Sequence, residues 1–546
     1  MRSFPSPAVR TSPAVRISAA VRVAVACVAV AVLAACGQVA VEPGDAAPVD
    51  ARDPYGAPAG SEGAPTAGGT LVLAMDRDVV GFDPTVQNSN MVATAIYDSL
   101  MRFDADGEVQ PYLAEGMESP DGGTTWLLTL REGVRFHDGT PLDAEAVVVN
   151  TQRHIDVGSS PANRFARQIA GMRAVDPLRV EFTLAAPLGD FPVAFAQTFN
   201  SGTLGVIISP AELARPDADV ARRPVGAGPF RFVEWRPGTR VVVERNDDYW
   251  QEGLPHLDGL EFRPLTDTET RQSSIANGDV DVSFAAYNQE LVRSVDDPGL
   301  RVYYGPGSGG EYLYFNHDRA PFDDRRMREA FIRAIDLDAL AVAEYRGHMS
   351  RAVTMFSPDT PHSNPEAAQA WPEFDADRAR ALVEEYRAEG GDPDFRFVTT
   401  QNRVPFAEFV QAQLAAVGVT VEVEFFDLAQ YSSAVAQSRD FQLAQWVGPF
   451  DNPYPAVQRL LHSEGNTNFG NYANPRVDEL LDLAESTADE GERVRAYQDV
   501  ELVAAEDLSH MWFSRSYLST ITDPAVHGVD RYVTREMFFA STWLQR

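Results

Sequence analysis

Leu130-Arg131-Glu132-Gly133-Val134-Arg135-Phe136-His137-Asp138-Gly139-Thr140-Pro141-Leu142-Asp143-Ala144-Glu145-Ala146-Val147 is the stretch from which the fold can be read. It starts as the end of a strand predicted over Trp126–Arg131 and turns at His137-Asp138-Gly139, residue types that favour tight turns. It then opens a helix running to about His154. Asp143 precedes the apolar run, where a short carboxylate can accept an orphan N–H of the first turn.

The same strand–turn–helix grammar continues on both sides. Strands are predicted at Thr70–Met75, Arg179–Leu184, Gly205–Ile208, Arg240–Arg245, Leu260–Pro264, Tyr312–Asn316, Thr420–Phe425 and Phe441–Trp446. Helices are predicted at Asn90–Met101, Asp323–Ile335, Asp377–Glu389, Val404–Val417, Pro475–Ala484 and Glu490–Leu508. In Val404–Val417 the residues Phe406, Phe409, Val410, Leu414 and Val417 share one face, and Gly418 ends the helix. Repeated units of this kind imply α/β lobes with largely parallel sheets. No internal repeat of fixed period is visible.

Composition narrows the function. The chain has 546 residues, 46 basic and 79 acidic side chains, and a formal charge of −33. A surface of that sign repels a polyanion, which argues against nucleic acid as a partner. Every basic side chain is Arg, so Schiff-base lysines, Ser-Lys dyads and the phosphate-loop lysine are excluded. The nine His residues show no HxxxH or HExxH spacing, and no G-x-S-x-G occurs, so no cofactor or metal site is expected.

The first residues read as an address. Arg2, Arg10, Arg16 and Arg22 precede an apolar run from Val23 to Ala35, too short to span a bilayer comfortably. It closes on Leu33-Ala34-Ala35-Cys36, which looks like a bacterial lipobox. Residues 1–35 are therefore expected to be a lipoprotein signal peptide, with Cys36 lipidated and the protein held extracytoplasmically at the membrane. Residues 36–68, rich in Gly, Pro and Ala, read as a flexible tether. Cleavage before Cys36 leaves no cysteine pair for a disulfide.

Four separated blocks carry a family resemblance. They are Tyr97-Asp98-Ser99-Leu100 through Phe136-His137-Asp138-Gly139-Thr140, then Gly226-Ala227-Gly228-Pro229-Phe230 with Asp248-Tyr249-Trp250 and Asn277-Gly278-Asp279. The third is Phe315-Asn316 through Ala334-Ile335-Asp336, and the fourth Asn471-Tyr472 through Leu480-Leu481. Together they resemble the peptide/nickel/opine class of ABC-transporter solute-binding proteins, family 5. The resemblance implies an α/β, two-lobed periplasmic-binding-protein-like clamp of class II, cluster C type, with an extra inserted domain. Lobe one would comprise 69–105, 226–306 and 514–546, the inserted domain 106–225, and lobe two 307–513. The chain would be a monomeric receptor, not an enzyme. It would deliver an oligopeptide-like solute to the membrane permease and ATPase subunits of an importer. A nickel or metal-chelate ligand, or another non-peptide solute, is the alternative within the family. Outside it stand a secreted hydrolase, whose nucleophile–base or metal spacing is missing, and a ligand sensor.

The resemblance also nominates residues. The segment Gln445-Trp446-Val447-Gly448-Pro449-Phe450-Asp451 matches the strand and loop that line the family's cleft, which makes Trp446 the leading candidate, with Phe450 beside it. Peptide-binding members place an ammonium-pairing Asp where this chain has Pro449. Either Asp451 takes that role or the ligand is not an ordinary peptide, because an unpaired buried ammonium is costly. Gln87, Asn88 and Ser89 follow the first strand, at the end where α/β ligands bind. Arg164 and Arg167 lie where the nickel branch holds a carboxylate. Asn402 and Arg403 precede a helix and could offer N–H groups and a guanidinium.

Overall fold

The computed structural model describes residues 63–545, apart from 87–90, 105–106, 200–201, 217–218, 286–287, 296, 305–306, 346, 348, 516–518 and 532–535. Cys36 and the 36–62 part of the tether lie outside these residues, as do Gln87, Asn88 and Ser89.

Three sheets organise the chain. A seven-stranded sheet has the order Arg301–Tyr303, Ser519–Thr522, Val282–Ala285, Thr70–Met75, Gly259–Pro264, Arg240–Arg245, Phe230–Arg236. A five-stranded sheet has the order Val421–Phe426, Phe395–Thr400, Leu443–Pro449, Gly309–Phe315, His510–Ser514. A four-stranded sheet comprises Ala114–Glu118, Thr125–Leu130, Arg179–Leu184 and Ile169–Asp176.

The expectation of largely parallel sheets is corrected. Thr70–Met75 is parallel to both neighbours, and Phe395–Thr400 to both of its own, but every other pairing in the three sheets is antiparallel. Connection length accounts for one of these pairings: three residues join Phe230–Arg236 to Arg240–Arg245, which fold back as a hairpin, whereas a parallel neighbour requires a long crossover.

Each sheet has its own apolar core. In the five-stranded sheet the strand Gly309–Phe315 is buried throughout, and its alternation divides two layers. Leu313 and Phe315 face the helices Arg325–Ala334, Ala376–Ala388 and Val404–Ala416, while Tyr312 and Tyr314 face Pro475–Ser486 and Glu490–Glu506. The four-stranded sheet packs on the helix Ala144–Asp156, which Asp143 caps by accepting the Ala146 N–H.

Two of the sequence blocks lock each other. The His137 N–H donates to the Gly226 carbonyl, and its ring Nε2 lies 3.0 Å from the Gly228 oxygen. The Gly228 N–H in turn donates to the Ile96 carbonyl, and a Cβ on Gly228 would lie 2.6 Å from that oxygen. Both motifs therefore lock a chain crossing, and burial pushes the His137 imidazole down to about 4. The same contact explains a further correction. The helix expected over Asn90–Met101 is the short turn Ala93–Ile96, after which Tyr97 is extended and the strand Met101–Phe103 begins.

Candidate functional site: an aromatic wall with two arginines

The strand Leu443–Pro449 runs antiparallel to Gly309–Phe315, with Trp446 opposite Tyr312. Trp446 is half-buried. Its ring stacks on Tyr431 at 5.9 Å and 24°, and meets Phe469 edge-on at 5.3 Å and Tyr314 at 6.2 Å. The Tyr431 hydroxyl donates to the Gln445 carbonyl, which fixes that ring against the strand. Trp446 is thus a rigid plate set among other rings, with part of its face left uncovered.

The loop after it is held by its own residues. The Ser308 N–H donates to Asp451 Oδ1 at 2.8 Å, and the Phe450 N–H donates to the Ser308 carbonyl at 3.0 Å. Gly309, at φ +83°, leaves no room for a side chain, since a Cβ would lie 2.1 Å from the Gly448 oxygen. Phe450 is only 4% exposed and packs edge-on against Trp512 at 5.6 Å. Its ring packs in the core against Tyr312 and Trp512. Asp451 commits one oxygen to shaping the loop.

Arg403 is engaged against the five-stranded sheet. It stands at the N-terminus of Val404–Ala416 and donates from Nη2 to Glu311 Oε1 at 2.7 Å. The second Glu311 oxygen accepts from the Tyr345 hydroxyl. Burial works against the Arg403 charge, but Glu311 outweighs it and holds the guanidinium above its usual pKa. Of Asn402 only the backbone is described.

Arg164 lies on the short helix Asn163–Ala166. Its guanidinium carbon sits 4.5 Å from the centroid of the Phe165 ring, and Nη1 donates to the Pro161 carbonyl at 3.1 Å. Phe165 in turn meets Tyr454 at 6.0 Å, which brings this helix against the chain that follows Trp446. Arg167 is exposed, on the side of Glu485.

Sequence reasoning missed Arg459. It lies on the helix Ala456–Leu461, whose Val457, Leu460 and Leu461 are buried. Nothing in that short segment distinguishes it from a surface arginine. Tyr314, Tyr431 and Phe469 were also missed as neighbours of Trp446, because they come from three distant segments. Among the described residues no group of three or more His, Cys, Asp or Glu is arranged to hold a metal, and no helix is long and apolar enough to cross a membrane.

The chain matches the family described as "Bacterial extracellular solute-binding proteins, family 5 Middle" over residues 108–468. It is 29% identical over 491 residues to the glutathione-binding protein GsiB of Salmonella paratyphi A, covering 85% of this chain and 91% of that one. Its fold is that of the substrate-binding protein CtaP from Listeria monocytogenes, with a TM-score of 0.76, 23% identity, and 88% and 100% of the two chains covered. It also matches NikA from Brucella suis in complex with Fe(III)-EDTA, with a TM-score of 0.75, 21% identity, and 87% and 100% covered. The α/β cluster C binding-protein fold with several sheets, together with a family match across most of the body, identifies the chain as a member of the family 5 extracellular solute-binding proteins of ABC importers, a family of receptors and not of enzymes.

Proposed function

We propose that this receptor captures a small peptide-like solute, with glutathione as the leading chemical model, against the wall built on Trp446. It hands the solute to the permease and ATPase subunits of an importer. The two lobes are 69–105 with 226–306 and 514–546, and 307–513; the inserted domain is 106–225. A lipid on Cys36 keeps the receptor at the membrane.

One observation carries this reading. Trp446 is a half-uncovered ring held by Tyr431, Phe469 and Tyr314 in a molecule whose other large rings at this place are buried. A rigid aromatic plate supplies contact area at little entropic cost, as ligand pockets require. The glutathione-binding relatives support a peptide-like solute over a sugar. Glutathione also suits Pro449, because its amino group belongs to a γ-linked glutamate and need not sit where an ordinary N-terminus does.

The test is calorimetric titration of reduced glutathione into the chain and into Trp446→Ala. The expected result is a loss of more than about tenfold in affinity, close to 1.4 kcal/mol, with an unchanged melting temperature. Equal affinity in the two proteins would remove Trp446 from the pocket.

A further inference from the structure

Two bodies with separate cores meet at one corner. Leu188 and Phe191 are buried in the core of the four-stranded sheet, and between them the turn presents Gly189 and Asp190. Opposite stands the link between Pro475–Ser486 and Glu490–Glu506, the helices that Tyr312 and Tyr314 face. The Gly189 N–H donates to the Glu485 carbonyl at 3.2 Å. Asp190 Oδ1 pairs with Arg493 Nε at 2.9 Å, the two side chains being only 10% and 18% exposed. Arg493 Nη1 also donates to the Thr487 carbonyl at 3.2 Å, which orients that guanidinium at the corner.

Gly189 is the informative residue. A Cβ there would lie 1.9 Å from the Thr487 oxygen and 3.1 Å from the Ala488 Cα, atoms of the opposite body. Its φ lies outside the left-handed region, so its own turn does not demand glycine. The missing side chain answers to the approach of the second body.

The corner is wired to the aromatic wall. Downstream of Trp446, Tyr454 reaches into the core of the four-stranded sheet and meets Phe165 at 6.0 Å. Its hydroxyl donates to Glu485 Oε1 at 3.1 Å, and Glu485 is the residue whose carbonyl receives Gly189. Burial outweighs Arg493 and pushes the Asp190 carboxyl up to about 6, with Glu108 and Glu485 adding to the rise. An ion pair that leaves its buried carboxylate at a net cost holds two surfaces together without making their contact permanent.

We propose that the turn Leu188–Phe191 is a latch, docked on the Thr487–Arg493 corner while the receptor holds its solute and released when it opens, with Gly189 and Arg493 as positioning residues for capture. This rests on the receptor reading above. Hinged closure encloses a ligand, and a catch remote from the ligand sets how long the enclosure lasts.

The test is amide hydrogen exchange of the unmodified chain, Gly189→Ala and Arg493→Gln, each with and without reduced glutathione, alongside thermal melts and calorimetric titration. In the unmodified chain, segments 187–192 and 487–493 should exchange through a shared opening far easier than global unfolding. Glutathione at 100 times its Kd should slow both about 100-fold. Gly189→Ala should strip this protection from both segments and weaken glutathione about tenfold, chiefly through faster release, while Thr125–Leu130 and Gly309–Phe315 exchange as before. Arg493→Gln, which leaves Asp190 without its cation, should do the same in part. A Gly189→Ala protein with a lowered melting temperature and faster exchange in both sheets would make the contact a fixed seam and overturn the latch. Segments that exchange as before in Gly189→Ala, or lost protection with glutathione affinity unchanged, would overturn it too. If glutathione slows nothing in the unmodified chain while Gly189→Ala still strips the corner, the latch stands and glutathione falls as the solute.

Discussion

Arg403 and Arg459 flank the same five-stranded sheet and have opposite surroundings. Arg403 reaches Glu311 on the buried strand Gly309–Phe315, and Glu311 is held again by Tyr345. Its charge is matched inside the protein, and the group ties the Val404–Ala416 helix to the sheet. Among the described residues the Arg459 side chain donates to Asn466, an uncharged partner, and has no ion pair. A half-buried cation with its own carboxylate is architecture. One without a carboxylate is left with neutral acceptors, as the buried Arg328 is with the Phe322 and Asp507 carbonyls.

The largest effect should come from unmatching Arg403. Glu311→Gln keeps one acceptor oxygen for the guanidinium, puts an NH2 donor beside the Tyr345 oxygen, and removes the charge. Breaking a buried ion pair from one side typically costs 3–5 kcal/mol. Arg403 retains 28% side-chain exposure, so the loss should sit near the lower end, at about 3 kcal/mol in urea unfolding. The double variant Glu311→Gln with Arg403→Met should recover most of it, because it leaves no lone charge. If the single change is neutral, Arg403 is not structural, and the contrast with Arg459 collapses.

A smaller effect comes from an acid that has been matched with neutral donors instead of a cation. Asp98 is 3% exposed and accepts 2.8 Å hydrogen bonds from the Tyr249 hydroxyl and the Trp250 indole. Burial dominates these bonds and raises its pKa from 3.8 to about 7. The folded chain therefore binds the proton more tightly than the unfolded one. The stabilisation is complete below about 3.8 and is lost as the pH rises through about 7. Asp98→Asn should be flat across that window. Between pH 5 and 8 the parent protein should lose about 2 kcal/mol relative to the variant, read from paired unfolding curves at each pH. A constant difference between the two would mean that hydrogen bonds from neutral donors had balanced the burial, and the rule drawn from Arg403 would need revision.

The parts of this molecule that sequence patterning reaches are the ones that local chemistry decides. Thr70–Met75, Arg179–Leu184 and Arg240–Arg245 are legible to the residue, because β-branched alternation is bounded by turn formers. The Asp143 cap is legible for the same reason. Gly205–Ile208 has the composition of a strand and is not one. The Asn150 side chain accepts the Ile208 N–H at 3.0 Å and donates to its carbonyl at 2.8 Å, which takes the place of a neighbouring strand. Trp446 could be nominated from the motif around it. Its wall could not, since Tyr314, Tyr431 and Phe469 meet only through tertiary packing. Arg403 and Arg459 look alike in the chain, and only the position of Glu311 in space separates them.

The smallest effect is the sharpest test of the comparison. Arg459→Gln keeps an N–H donor at the position of Nε, where Asn466 accepts, while removing a charge that has no carboxylate partner among the described residues. With no opposite charge left unpaired, stability in urea unfolding should change by no more than about 0.5 kcal/mol. A loss of unliganded stability as large as that of Glu311→Gln would mean that Arg459 is built into the fold in the manner of Arg403.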